Sequence, residues 1–190
     1  MVGTAQDRQR GREERLVELV DPQGRAVGRS SVHTAHSDGG ILHRAFSVML
    51  VDAEDRVLLQ QRSPAKLRFP ARWTNSCCGH PWPGESVVDA ARTRLREELG
   101  VEVDELREAG PFVYRAADPE QGYVEHEYDH VLVGRFGGMP TEVDPSEVLA
   151  LRWSPLSEVL AELADGDPDS FTPWLPQVAA ATSDYLAATR

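Results

Sequence analysis

Cysteine is almost absent from this chain. Its only two, Cys77 and Cys78, are adjacent. A bridge between neighbouring cysteines is strained, so a disulfide framework is excluded, and the usage points to a reducing, cytoplasmic compartment. Long apolar runs are missing as well. No stretch approaches the roughly 18 residues that a membrane span needs, and the N-terminus carries no apolar secretory segment. Positive charge is scarce: 20 Lys and Arg against 31 Asp and Glu leave a formal charge of −11. That argues against a nucleic-acid partner held mainly by phosphate contacts, while a local basic patch still suits a small anion. Internal repeats and low-complexity core segments are also lacking.

What is present fits one domain. With 190 residues the chain can bury a real core. The segment "MVGTAQDRQRGR", residues 1–12, reads as a flexible tail, leaving 13–190 as a single domain. Strand patterns occur in "RLVELVD" and "HRAFSVMLVD". After the turn "AEDR", "VLLQQR" returns as a hairpin partner. "ESVVDAARTRLREELG" reads as a helix, with Ser86 as its cap, Asp89 as capping-box partner and Gly100 as its stop. Strands follow at 109–117, 123–136 and 148–153, then a helix with Pro155 in its first turn and a last amphipathic helix from Pro173 to about Ala188. The expected class is α+β, a layered α/β/α arrangement with a mixed sheet flanked by helices.

Several residues could carry chemistry. All six histidines fall between positions 33 and 130. In "VEHEYDH", Glu125 and Glu127 stand two apart on a strand, so both carboxylates face one side. Such like charges repel, and a divalent cation would relieve them; an acidic edge strand that discourages aggregation is the plainer alternative. By the same parity His126 and His130 face away, while Asp129 shares the glutamates' side. On the helix, Arg94 and Glu98 are four apart and share a face. This is a helical salt bridge, or a Mg²⁺ carboxylate beside a phosphate-binding guanidinium. Arg62 and Lys66 bracket a loop as ordinary charges or as an anion clamp. Cys78 alone is a small buried hydrophobe unless a neighbour lowers its pKa.

Gly79-x5-Glu85-x7-Thr93-Arg94-Leu95-x-Glu97-Glu98-x-Gly100 resembles the Nudix box. There an Arg-Glu pair normally stands where this chain has Thr93-Arg94, and the glutamate of that pair helps bind the metals of diphosphate hydrolysis. "LHRAFSVMLVD", "LLQQRSPAK", "WTNSCCGHP", "EHEYDHVLV" and "FTPW" together resemble the type I isopentenyl-diphosphate isomerases, over about residues 15–180. The resemblance implies a Nudix-type fold and a small isoprenoid diphosphate substrate, in a monomer or homodimer. It implies Cys78 and Glu127 as the acid/base pair, with Tyr114 hydrogen-bonded to the glutamate and Trp174 facing the cationic carbon. His36, His43, His80, Glu125 and Glu127 would hold a divalent Zn²⁺, Mn²⁺ or Mg²⁺, and Glu98 a Mg²⁺ that arrives with the diphosphate. Arg62, Lys66 and Arg94 match diphosphate-binding positions. A gapless count selects His36 as the first histidine ligand, a longer loop His33. It also sets Val32 where many members carry a diphosphate-binding lysine, a place that Arg29 takes if the loop is longer.

The implied reaction shifts a double bond between isopentenyl and dimethylallyl diphosphate. A proton is added to an unactivated alkene and another is removed from the neighbouring carbon, so acid/base groups on opposite faces are required. A hydrolase of a nucleoside or isoprenoid diphosphate is the alternative. If Cys78 has the role implied, its alkylation abolishes isomerisation of isopentenyl diphosphate. Residual activity against the fraction of modified Cys78 checks this, and full activity in fully modified protein would overturn it.

Overall fold

The computed structural model describes residues 11–189. Its strands are β1 (Leu16–Val20), β2 (Ala26–Ser31), β3 (His43–Val51), β4 (Arg56–Arg62), β5 (Trp73–Thr74), β6 (Cys77–Gly79), β7 (Leu106–Ala117), β8 (Val124–Arg135) and β9 (Val148–Pro155). The helices are α1 (Val32–His36), α2 (Val87–Leu99), α3 (Leu156–Asp165) and α4 (Leu175–Ala188). Most of the expected tail 1–12 lies outside the described residues.

Strand β3 is the axis of one mixed sheet. It runs parallel to β8 along its whole length, and β7 continues antiparallel beyond β8. Its other edge is shared by three strands. Leu19 of β1 pairs with His43, β6 pairs with Phe46 to Val48, and β4 touches β3 only at Val51 and Val57. With both faces covered, β3 reads as a nearly unbroken apolar run. Phe46, Val48 and Leu50 face α2, packing with Ala91, Leu95 and Leu99. Met49 and Val51 face the opposite layer, packing with Val159, Leu175 and Val178. This is the expected helix–sheet–helix layering. Among the described residues no helix is long and apolar enough to cross a membrane.

The hairpin expected between β3 and β4 closes only at its turn. Beyond it the two strands splay, and the segment around Ser76 fills the gap. The Ser76 hydroxyl donates to Leu58 O at 2.6 Å and accepts Leu50 N–H at 2.8 Å, replacing a ladder bond between the two strands. Gln60 donates to Ser76 O at 2.7 Å, and β4 takes β9 as its long partner instead. A polar bridge of this kind has no periodic signature, and neither do the short elements β2, α1 and β6.

Helix α2 begins where the capping pattern expects. Ser86 accepts the Asp89 N–H, and Gly100 closes the helix in the left-handed region at φ 63°. Pro155 precedes α3 as its N-cap, and α4 starts at Leu175, two residues later than expected. A Cβ on Gly100 would lie 2.6 Å from Glu142 Cβ. Gly100→Ala therefore combines a left-handed backbone penalty of about 1–2 kcal/mol with a close contact. Urea unfolding should show at least that loss, and an unchanged midpoint would contradict the cap.

Candidate active site

Sheet register builds the site from one row of residues. Tyr114 on β7, Glu127 on β8 and His43 on β3 are direct neighbours across three strands. Helix α1 sets the buried His36 over this row, and His80 follows the end of β6. Glu127 Oε1 is the meeting point: His80 Nε2 lies 2.8 Å away, His43 Nε2 3.5 Å and His36 Nε2 3.9 Å. Tyr114 donates to the other carboxylate oxygen at 2.6 Å.

These residues fit a metal centre. The ligand atoms of His36, His43, His80 and Glu127 all lie within 4.8 Å of one another. His36 Nδ1 faces Val32 O at 2.7 Å and His43 Nδ1 faces Ile41 O at 2.8 Å. A carbonyl can only accept, so each Nδ1 carries a hydrogen and is committed to the backbone, which leaves each Nε2 to face the carboxylates or a cation. His36 Nε2, His43 Nε2 and Glu125 Oε2 are buried without a hydrogen-bond partner, which suits atoms that ligate a cation. Glu125 stands beside this group, 2.8 Å from His36 Nε2, with Arg68 3.4 Å from its other oxygen. His33 is exposed near Glu13, whereas His36 lies within the group. His126 and His130 face away from Glu127, as parity requires: His126 contacts Gly40 O, and His130 contacts Arg44 and Glu108.

Charge in the site follows from burial and company. Burial opposes the charged imidazole of His36, but Glu125 and Glu127 together outweigh it and lift the pKa to about 9. Burial lowers that of His80 to about 4. Burial also disfavours the Glu127 carboxylate, yet the three imidazoles gathered around it hold its pKa well below the usual range. Tyr114 is pushed well above its ordinary value by burial and by Glu127.

The thiol lies on the same side of the sheet. Cys78 pairs with Ser47 of β3 and Cys77 with Val48, so the two sulfurs take opposite faces. Cys77 packs into the α2 core, whereas Cys78 opens to the pocket. Both thiols are free. Burial, helped by Asp129, raises the Cys78 pKa to about 12. Asp129 accepts the Ser47 hydroxyl at 2.7 Å, and that hydroxyl lies 3.7 Å from Cys78 Sγ. Trp174 is buried edge-on to Phe69 and tilted against Tyr114, on the pocket wall.

The far end of the pocket is cationic. Arg94 pairs with Glu97 at 2.6 Å and with Glu98, whose other oxygen accepts from Gln60 at 3.3 Å. Burial disfavours the Glu98 carboxylate, but Arg94, Lys66, Gln60 and Arg12 together outweigh it, so its pKa falls. Lys66 reaches the fully buried Glu147, and Arg94 lies 3.5 Å from the same carboxylate. Burial and the nearby Arg62 bring the Lys66 pKa down to about 7. Arg62 donates to Phe69 O and Arg68 O, with its guanidinium over the Trp174 ring. Arg62, Lys66 and Arg94 thus line one pocket.

Sequence reasoning missed Glu147, Arg68 and Arg12. Arg12 pairs with Glu147 and adds a cation to the wall that Val32 also lines. Arg29, the alternative to Val32, is exposed on β2. No motif flagged these residues. The scarcity of buried charge was the available signal for Glu147, and it requires knowing what is buried.

The NUDIX domain model matches residues 41–175. The chain is 59% identical over 162 residues to an isopentenyl-diphosphate Delta-isomerase of Nocardia farcinica, covering 85% of this chain and 91% of that one. It is 42% identical to an isopentenyl-diphosphate Delta-isomerase of Halorhodospira halophila, covering 83% and 89%. In fold it is similar to the Deinococcus radiodurans protein DR0079, with TM-score 0.69 and 23% identity over 87% of this chain and 97% of that one. The NUDIX domain of Shewanella oneidensis NrtR, solved with ADP ribose, gives TM-score 0.56 and 17% identity over 76% and 87%.

Asp129 yields a test of these electrostatics. Burial and Glu127 raise its pKa well above the ordinary 3.8. The folded state then holds a proton that the unfolded state has released, so Asp129 costs stability increasingly as pH rises above the unfolded value. In chelator-treated protein, the Tm advantage of Asp129→Asn over wild type should grow from pH 5 to pH 8. A constant or shrinking difference would contradict the buried pairing.

Proposed function

The chain belongs to the Nudix family and stands with its isopentenyl-diphosphate Delta-isomerases, and we propose that it interconverts isopentenyl and dimethylallyl diphosphate through Cys78 and Glu127. The observation that carries this assignment of roles is one pocket lined by a thiol, a carboxylate bonded to a tyrosine, a tryptophan and a cationic end. The hydrolase alternative is disfavoured by Arg94, which stands as a cation paired to Glu98 where hydrolysis would want a metal-binding glutamate.

Arg62, Lys66 and Arg94 hold the diphosphate, joined by Arg12. With that end anchored, the five-carbon tail reaches toward Cys78 and Glu127, and proximity replaces a bimolecular encounter. Cys78 is a neutral thiol at physiological pH, able to give or take a proton at Sγ. Glu127 exchanges the other proton at a carboxylate oxygen, and the Tyr114 hydroxyl on Oε2 shares it. Trp174 offers its ring face to the positive charge that develops on the alkene, an interaction of roughly 2 kcal/mol when desolvated. Buried walls keep out water that would quench that charge.

His36, His43, His80, Glu125 and Glu127 would hold a divalent metal, Zn²⁺, Mn²⁺ or Mg²⁺, and Glu98 a Mg²⁺ brought with the diphosphate. Bound there, the metals would tune the acidity of Glu127 and neutralise the diphosphate. Two free thiols suit a reducing cytoplasmic setting.

Incubation of the protein with isopentenyl diphosphate, Mg²⁺ and Mn²⁺ or Zn²⁺ should yield dimethylallyl diphosphate without phosphate release. Cys78→Ala and Glu127→Gln should each lower turnover by about 10²–10⁴-fold. Release of phosphate or pyrophosphate would favour hydrolysis, and wild-type turnover in Cys78→Ala would remove the thiol from the chemistry.

A further inference from the structure

Asn75 is the only asparagine in the chain and is fully buried. Its amide nitrogen donates to Val48 O at 3.1 Å and to Cys77 O at 2.8 Å. Both hydrogens are thereby committed to backbone carbonyls on β3 and β6. Turning the amide over would set its oxygen against those two carbonyl oxygens and its hydrogens against the Trp174 N–H, so the orientation has one solution. The amide oxygen must face the pocket side.

Three donors meet that oxygen. The Thr74 hydroxyl donates at 2.9 Å, the Trp174 indole N–H at 3.1 Å and the Cys78 S–H at 3.2 Å. Thr172 donates in turn to Thr74 at 2.9 Å, linking the segment before α4 to the same chain of bonds. The thiol's other polar neighbour, Ser47, spends its hydrogen on Asp129 and so also meets sulfur as an acceptor.

We propose that Asn75 is a positioning residue for the reaction: one backbone-clamped amide oxygen sets the Cys78 thiol and the Trp174 indole in a fixed relation to each other. The inference rests on the roles assigned to those two residues above. An acceptor-only oxygen holds the sulfur only while it carries hydrogen, so Asn75 presents Cys78 as a thiol with a defined rotamer. Through the same atom it sets the tilt of the indole ring. Two of the groups that face the reacting carbons are thus referenced to the sheet through one residue. Asn75 itself touches neither the cationic end of the pocket nor the histidine cluster. Its loss should therefore impair turnover while substrate capture persists.

Three measurements test this. In wild-type protein labelled with ¹⁵N-asparagine, the single side-chain amide should exchange its hydrogens slowly; rapid exchange would overturn the clamp without any variant. Asn75→Ala, or Asn75→Ser should the alanine variant not fold, should lower kcat by about 10²-fold, the cost of a small misplacement of reacting groups. KM should stay within about twofold. In the double variant with Trp174→Phe, the combined loss of kcat should be smaller than the product of the single losses, because both changes break the same arrangement. Unchanged kcat, an equal rise in KM, or multiplicative losses would each overturn the inference. Cys78→Ala separates the layers. Its inactivity alongside a fully active Asn75→Ala defeats only the role of Asn75, whereas its full activity defeats the assignment of the thiol.

Discussion

A single hydroxyl holds the sheet open beside the pocket that Cys78 lines. Ser76 sits between β3 and β4 and bonds to a backbone group of each, so the two strands part just beyond their turn. A continued hairpin would have closed that edge with ladder bonds. Because it does not, β6 can pair with the middle of β3, which turns Cys78 to one face and Cys77 to the other. Asn75 and His80 reach their places through the same short segment.

The second constraint is electrostatic. Glu127 is a buried carboxylate, which water would otherwise solvate by several hydrogen bonds, and here three imidazoles and a tyrosine take that place. The arrangement turns the Nε2 atoms and the carboxylate toward one small volume, which suits a cation. At the opposite end Glu147 and Glu98 do the reverse, as buried anions that gather Lys66, Arg94 and Arg12. A strongly acidic chain therefore carries a local cationic wall. Its net charge describes solubility and long-range fields, while the pocket is set by a few buried pairs.

Much of this was legible residue by residue. The cap at Ser86 and the stop at Gly100 announced α2, because both are local backbone requirements. Strand parity separated Glu125 and Glu127 from His126 and His130, because alternation is a property of any extended chain. Asp129 shared that parity without an explanation until its bond to Ser47 was visible across the sheet. Elements β2 and α1 were missed because short segments carry too few residues to show a period. The splay of β3 from β4 was missed because it depends on a side chain from another part of the sequence.

The sequence by itself determined the family, the layered fold and the residue types of the site, because local periodicity, caps and motif spacing are written along one dimension. Which histidine faces Glu127, which cysteine faces the pocket, and what Asn75, Asp129 and Glu147 touch were decided only by tertiary structure. Those facts are distances between residues far apart in the chain. They follow from strand register, from the wedge at Ser76, and from the need of each buried polar atom for a partner.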